Sequence, residues 1–316
     1  MKSFLNNFLI SIILLQTCHA SFEAYFKTVK SQIGTIAVSH QLTSQIIQDL
    51  KNDFRFMVAK PHWQPFSQYT SEANFIVWLT EKRDFYPVWK AVGRYARPDS
   101  KKTFDSSNQK NSKNLETQHN QKKILEASHT YSQKLLEIEK TYLVNSEILL
   151  VLAAMESRLG KFKLKYLAHE VFLTQLFLFE KFTKWMTDER TERLTRSARR
   201  NLVCLYLWAS SGGNHQIQSN WAGACGVVQF LPYNFWMLRD GNGDGAYQFH
   251  NLLDGFASSA YFLNKKGWKQ TQYKTFVEGK LDKNQLKALL AYNRNEFYAR
   301  GLWSLAQWLK KSKQTK

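Results

Sequence analysis

Eight consecutive apolar residues, Ile148 to Met155, constrain the fold of this chain more than any other segment. Asn145 precedes the run as an N-cap candidate, Glu147 falls in the first turn where a carboxylate suits the helix dipole, and Gly160 stands beyond it as a terminator. A helix that is apolar on every face is stable only when other elements bury it. The segment therefore predicts a helix at the centre of a globular domain.

Composition divides the rest of the chain into segments. Residues 21–98 repeat apolar side chains at helical spacing, as at Ile46, Leu50 and Phe54, and the pattern resumes from residue 124. Residues 99–123 are instead rich in Ser, Asn, Gln and Lys, which is typical of a solvated linker or loop insertion. Alternation typical of β-strands is scarce. We expect a mainly α protein with an N-terminal helical subdomain over 21–98, a polar linker over 99–123 and a larger domain over 124–312.

The first 20 residues have the composition of a secretion signal. Lys2 precedes an apolar run from Phe8 to Leu15 that is too short for a comfortable membrane span, and Cys18-His19-Ala20 has the form of a cleavage site. A cleaved signal peptide over residues 1–20 predicts a periplasmic protein. The alternative is an outer-membrane lipoprotein acylated at Cys18, although Thr17 is bulky for the position before such a cysteine.

The formal net charge is +19, from 44 Lys and Arg against 25 Asp and Glu. Such a charge indicates an anionic partner, which could be nucleic acid, anionic lipid or bacterial cell wall. The alternative is that the charge serves only solubility, in an organism whose proteins are generally rich in Lys. Export argues against nucleic acid. Beyond Cys18 the chain has only Cys204 and Cys225, and no zinc-binding spacing occurs, so we expect two free, buried thiols.

Glu156 closes the apolar helix and is the first candidate for chemistry. A carboxyl group in a low-dielectric setting disfavours its charged form, so its pKa should rise. An acid that stays protonated near neutral pH can donate a proton to a glycosidic oxygen. The alternative is a helix-end ion pair with Arg158 or Lys161, and this segment alone favours that alternative.

Four segments, in the same order, resemble the motifs of the lytic murein transglycosylases of the membrane-bound B type. They are ESRLG from Glu156, NWAGACGVVQFLP from Asn220, DGNGDG from Asp240 (followed by Asp254 and Gly267-Trp268), and Tyr292-Asn293 with Tyr298. One such motif is modest evidence, but four in register are strong. The likeness covers roughly residues 124–310 and is weaker over 21–97.

The resemblance implies a lysozyme-like fold and an enzyme that cleaves peptidoglycan. The reaction would be non-hydrolytic cleavage of the β-1,4 bond between N-acetylmuramic acid and N-acetylglucosamine, leaving 1,6-anhydromuramic acid ends. Glu156 would be the catalytic acid and then the base. No second carboxylate stands near it in the motifs, whereas ordinary glycosidases need a pair. The implied contacts with the glycan are made by Asn220, Gln229, Tyr292, Asn293 and Tyr298.

Three positions depart from the family pattern. Asn220 stands where the family usually has Ser, and Leu159 replaces a usual aromatic residue. Arg199-Arg200 resembles a saccharide-binding arginine pair, but its spacing from Glu156 is longer here, which favours a solvated basic face.

The segment from Asp240 to Asp254 has the oxygen donors of a structural calcium loop. Acidic and amide side chains occupy its first, third and fifth positions, a backbone carbonyl follows, and the resemblance makes a later Asp the closing ligand. The predicted ligands are Asp240, Asn242, Asp244, Ala246 and Asp254. The alternative is an Asp/Asn/Gly turn that binds no metal.

Alternative functions remain open at this point. They are a peptidoglycan-binding or scaffold protein with a weakened site, a hydrolytic muramidase, and a basic protein that binds membrane surfaces. We expect no required cofactor, a monomer, peptidoglycan glycan strands as the partner, and peripheral contact with the membrane or cell wall.

Overall fold

The computed structural model describes residues 20–81, 84–97, 106, 117–214, 216–270, 276 and 279–313. The predicted signal peptide (except Ala20), Cys18 and most of the predicted linker lie outside these residues.

The described elements are, in chain order, α1 (residues 20–32), β1 (Ile36–Ala37), α2 (Val38–Gln41), α3 (Ser44–Val58), α4 (Gln64–Ser67), α5 (Glu72–Glu81), β2 (Asp84–Phe85), α6 (Trp89–Tyr95), α7 (Gln118–Thr130), α8 (Ser132–Tyr142), α9 (Ser146–Ser157), β3 (Tyr166–Leu167), α10 (Ala168–Leu178), a 3-10 helix (Phe179–Trp185), α11 (Asp188–Ser210), β4 (Gln218–Ser219), a second 3-10 helix (Pro232–Met237), α12 (Leu252–Lys265), α13 (Lys283–Tyr292) and α14 (Glu296–Ser312).

Helices dominate the fold, as predicted. The described strands form two antiparallel pairs, in which Ile36 faces Phe85 and Tyr166 faces Ser219. Among the described helices, none is long and apolar enough to cross a membrane.

The chain divides into two compact units, and neither is continuous in sequence. The first comprises the described residues within 1–100 and 165–224, and the second comprises the described residues within 101–164 and 225–316. This division differs from the segments 21–98 and 124–312 expected above, because residues 165–224 pack with the N-terminal segment. The polar segment expected over 99–123 also ends earlier, since residues from Gln118 onward are helical.

The first unit is organised around the long helix α11, which packs against α10 and α3. Its buried side chains from Ala198 to Leu207 supply much of the contact surface. Large aromatic residues complete this core, including the fully buried Trp63, Phe75 and Phe172.

The second unit is built around α9, the helix predicted from the apolar run. Residues Ile148–Ala154 are all buried, and α9 packs against α14, α12 and α7. Asn145 stands at the N-cap, as predicted. Neighbouring helices therefore surround the apolar segment, and its last turn carries Glu156.

Candidate active site

The carboxyl group of Glu156 lies at the C-terminal end of α9 and is partly buried. Burial is the main influence on this group and raises its pKa from 4.5 to about 7. A hydrogen bond from Tyr298 acts in the opposite direction but is the weaker effect. The predicted rise of the pKa is thus confirmed, and the helix-end ion pair is not what the structure shows.

Two tyrosines hold their hydroxyl groups beside this carboxyl. Tyr298, at the start of α14, donates a hydrogen bond of 2.5 Å to Oε1 of Glu156. Tyr292, at the end of α13, donates to the backbone carbonyl of Val228. Burial, and next the charge of Glu156, raise the pKa of both phenols well above 10. Both side chains therefore stay protonated and act as hydrogen-bond donors across the neutral pH range.

Glu156 has no carboxylate partner in the described part of the second unit. Burial and the Tyr298 hydroxyl are the causes of its pKa shift, and no neighbouring acid contributes. A pair of carboxyl groups would have raised the pKa of one by mutual repulsion. Within the described part of this unit, the site therefore presents a single acid beside neutral hydrogen-bond donors.

The backbone turns sharply immediately after Glu156. Arg158 and Leu159 have left-handed φ angles of 53° and 56°, so the reversal begins before Gly160, at which the sequence predicted it. Non-glycine residues rarely adopt this conformation, and strain of this kind collects at functional sites. The N–H groups of Arg158 and Leu159 donate to Ala154 and Ala153, while Ser157 Oγ accepts the N–H of Gly160. These bonds hold the carboxyl group at a fixed helix end.

The loop that carries Gln229 is tied to the same site. Gln229 has a left-handed φ of 52°, and its side-chain amide donates to the carbonyl of Gly226 at 2.6 Å. The preceding carbonyl, of Val228, accepts the Tyr292 hydroxyl. The structure thus brings Glu156, Tyr292 and Tyr298 together and links the Gln229 loop to them. Asn293 caps the end of α13, and its contact with glycan stays a prediction, as does that of Gln229.

The loop from Asp240 to Asp254 is held by its own hydrogen bonds. Asp240 accepts hydrogen bonds from the backbone N–H groups of Gly243 and Gly245 at 2.6 and 2.7 Å. Backbone hydrogen bonds, of which the one from Gly245 has the largest effect, keep the pKa of Asp240 below the usual range. Asp254, fully buried, accepts N–H groups of Gly241, Asn242 and Gln248.

The loop contains the types of oxygen donor that were predicted to bind calcium. Asp240, Asn242 and Asp244 supply hard oxygen atoms, as does the carbonyl of Ala246. Both oxygens of Asp240 and both oxygens of Asp254 accept backbone N–H groups, so these two carboxylates stabilise the loop itself. The described residues contain no group of three or more His, Cys, Asp or Glu side chains able to hold a metal ion. Calcium binding therefore stays a prediction, and no catalytic step depends on it.

Asn220 belongs to the first unit and organises a turn there. Its side-chain oxygen accepts the N–H groups of Ala222 and Ala224 at 2.7 and 3.2 Å, and its own N–H donates to the Ala224 carbonyl. The amide thus shapes the loop around it. Its predicted contact with substrate stays a prediction.

The arginine pair Arg199-Arg200 is not the solvated basic face that we expected. Both guanidinium groups bind the buried carboxylate of Asp53 in α3, with Nε–O distances of 2.7 and 2.9 Å. Arg199 also contacts Asp49 at 3.2 Å. The pair therefore joins α11 to α3 within the first unit.

Both described cysteines, Cys204 and Cys225, are free and buried, as predicted. Burial raises the pKa of each thiol far above its ordinary value. Neither is a thiolate nucleophile at neutral pH.

Comparison with known proteins decides the family. Residues 87–289, well over half of the chain, match the family described as Transglycosylase SLT domain. The chain belongs to this transglycosylase family. Among curated protein sequences, none matches the chain.

Solved structures show that the transglycosylase shares its fold with known enzymes. It matches the Escherichia coli lytic transglycosylase Slt35 in complex with calcium at a TM-score of 0.58 and 15% identity, over 85% of this chain and 94% of that one. The Slt35 complex with bulgecin A gives 0.53 and 17%, over 66% and 79%. The soluble lytic transglycosylase SltB1 from Pseudomonas aeruginosa gives 0.52 and 17%, over 63% and 82%.

The family match confirms the predicted transglycosylase family and enzyme class, and the solved structures confirm the predicted mainly α lysozyme-like fold. The transglycosylase also has features that the motifs did not predict. Glu147 is buried and pairs with Lys310 and Lys313 at 3.2 and 3.1 Å. Burial is the largest single influence and would raise its pKa, but the two ammonium groups and the hydrogen bonds of the carboxyl together lower it. This contact ties the first turn of α9 to the end of α14, and two lysines three residues apart were its only sequence signal.

Proposed function

We propose that this transglycosylase cleaves the β-1,4 bond between N-acetylmuramic acid and N-acetylglucosamine in peptidoglycan and leaves 1,6-anhydromuramic acid ends. The observation that carries the proposal is the partly buried carboxyl of Glu156, whose pKa is raised to about 7 with no contribution from another acid among the described residues. A hydrolase of the usual kind needs two carboxyl groups, one as acid and one as nucleophile or base. A reaction in which the substrate supplies its own nucleophile needs only one.

The steps balance around this one group. Protonated Glu156 donates its proton to the glycosidic oxygen, which leaves as the 4-hydroxyl group of N-acetylglucosamine while the bond to the anomeric carbon breaks. The C6 hydroxyl of the muramic acid then attacks the anomeric carbon and closes the anhydro ring. The carboxylate of Glu156 takes the proton that this hydroxyl releases. The acid is thereby restored, and no water enters the product.

The pKa of Glu156 suits both steps. At neutral pH the acid and its carboxylate have similar populations, so the group can donate and accept protons with little free-energy loss. The Tyr298 hydroxyl stabilises the carboxylate form and fixes its orientation. Tyr298 therefore acts as a positioning residue. Amides and phenols bind sugar hydroxyl and N-acetyl groups, so the proposed glycan contacts are the five residues that the resemblance implies: Asn220, Gln229, Tyr292, Asn293 and Tyr298.

Mass spectrometry of the soluble products from digested sacculi tests the reaction type. The proposal requires anhydro-muropeptides. Reducing muramic acid ends would instead identify a hydrolytic muramidase, and intact glycan that still binds the protein would identify a scaffold.

We further propose a periplasmic location after removal of residues 1–20 as a signal, a monomeric enzyme, and peripheral contact with the wall or membrane through its positive charge. The support is the N-terminal pattern, the charge of +19 and a wall polymer as substrate. N-terminal sequencing of the exported protein tests the removal of residues 1–20. A chain that begins near residue 21 agrees with it, while a palmitate-labelled Cys18 would establish the lipoprotein form.

A further inference from the structure

The first unit contains a cavity of about 410 Å³ that none of the motifs explains. Helices α1 and α6 form its walls. One wall consists of residues on a single face of α6 and of the segment just beyond that helix. The other wall consists of two residues of α1 that lie one turn apart. The lining side chains used here are Phe26, Lys30, Trp89, Lys90, Arg94 and Arg97.

The cavity has an excess of positive charge. Arg97 forms an ion pair with Glu23 at 2.6 Å. In the described part of the chain, Lys30, Lys90 and Arg94 form no ion pair with a carboxylate. Cations that share a concave surface repel one another and concentrate field lines, so the cavity favours a ligand with two or more negative charges.

Aromatic rings form the apolar part of the wall. The centroids of Phe26 and Trp89 lie 5.7 Å apart in an edge-to-face arrangement. A Cβ atom added at Gly93 would lie 3.4 Å from the Phe26 ring. Gly93 is itself part of the cavity lining, so a larger side chain at this position would occupy space beside the ring. A ligand held here would carry small apolar groups as well as charge.

We propose that this cavity binds the carboxylate-bearing stem peptide of peptidoglycan. A short peptide offers carboxylates for Lys30, Lys90 and Arg94, and small aliphatic side chains for the two rings. Its size also suits the cavity, whereas a membrane surface requires a flat or protruding basic face rather than a concave one. The identity of the ligand rests on the proposed function, while the cavity and its charge do not.

Calorimetric titration with free stem peptides released from sacculi tests the proposal. The wild-type protein should bind the peptide, with affinity that falls as salt is added. Arg94→Ala should weaken binding about tenfold, or about 1.4 kcal/mol. Gly93→Leu should abolish binding by filling the cavity without changing charge. Lys27→Ala removes an equal charge from an exposed position on α1 outside the cavity lining, so it should bind as wild type does.

Thermal melting of each variant shows whether it is folded, and sacculus cleavage by the same preparations separates the two proposals. Cleavage without peptide binding overturns the inference and leaves the enzyme activity standing. Peptide binding without cleavage refutes the enzyme activity and supports the cavity. Equal weakening by Lys27→Ala overturns a specific site. Anionic phospholipid vesicles that bind the wild type but not Arg94→Ala, with no peptide binding, would also overturn it and indicate a membrane site.

Discussion

Replacing Glu156 by Gln should make the folded protein more stable at alkaline pH. The reason is that burial deprives the ionised wild-type carboxylate of solvation. Its pKa rises from 4.5 to about 7 on folding. At about 1.4 kcal/mol per pKa unit, ionised Glu156 destabilises the folded state by about 3 kcal/mol. Gln keeps the shape of the side chain and never ionises, so the variant lacks this penalty.

The direction of the pKa shift determines the pH range in which Glu156 destabilises the folded state. Below pH 4.5 Glu156 is protonated in both the folded and unfolded states, and the penalty is absent. Between pH 4.5 and about 7 the unfolded chain loses the proton first, so wild-type stability falls as pH rises. The gain from Glu156→Gln should be about 1 kcal/mol at pH 5 and about 3 kcal/mol at pH 8, worth about 5 °C in the melting temperature at pH 8.

Thermal melts and urea titrations at both pH values measure this gain. Glu126→Gln is the matched control, since Glu126 is an exposed glutamate of the same unit and its replacement should change stability little at either pH. An equal gain at pH 5 and pH 8, or a loss of stability at pH 8, would refute the argument that Glu156 is destabilised by burial.

Three further outcomes follow from the site and its supports. Tyr298→Phe removes the bond that lowers the pKa of Glu156, so the alkaline limb of kcat/KM should move up by about one pH unit. Tyr292→Phe should leave that limb in place, and equal shifts in both variants would contradict the assignment. Asp53→Asn leaves Arg200 without a carboxylate and Arg199 with Asp49 alone, so it should lower the free energy of unfolding by about 3 kcal/mol, measured in urea; a change near zero would refute the ion-pair network. Calcium at tenfold its dissociation constant should raise the free energy of unfolding by about 1.4 kcal/mol. Asp240→Asn should abolish that gain, while activity in chelator should persist; the absence of any shift would remove calcium from the account.

Local sequence was enough to predict the buried helix, whereas Glu156 at its end became the catalytic candidate only through the order of the four motifs. The apolar run from Ile148 to Met155 allows no other stable placement in water, and the same burial raises the pKa of Glu156. The motif order then indicated the family without any knowledge of contacts. The buried helix and each separate motif could be predicted because each depends on residues close together in the chain.

Other features depend on contacts between residues that are far apart in sequence. The bond from Tyr298 to Glu156 spans 142 positions, and the bond from Arg199 to Asp53 spans 146. Sequence spacing carries no signal for either pairing. Sequence also did not predict the left-handed backbone at Leu159, because a bulky residue adopts it only when surrounding structure compels it.

The discontinuous units have the same origin. Helix α11 was assigned to the C-terminal domain by position, yet it packs on α3 of the N-terminal segment. The apolar stripe of α11 predicts that one face of the helix is buried, but it does not identify the helix against which that face packs.

The central claim is that Glu156 is the single acid and base of an anhydro-forming reaction. Muropeptide analysis of sacculi treated in parallel with the wild-type protein and with Glu156→Gln tests it most directly, alongside a pelleting assay for murein binding. The wild type should yield anhydro-muropeptides, the variant should yield none, and both should bind murein equally. Anhydro products from Glu156→Gln, or reducing muramic acid ends from the wild type, would contradict it.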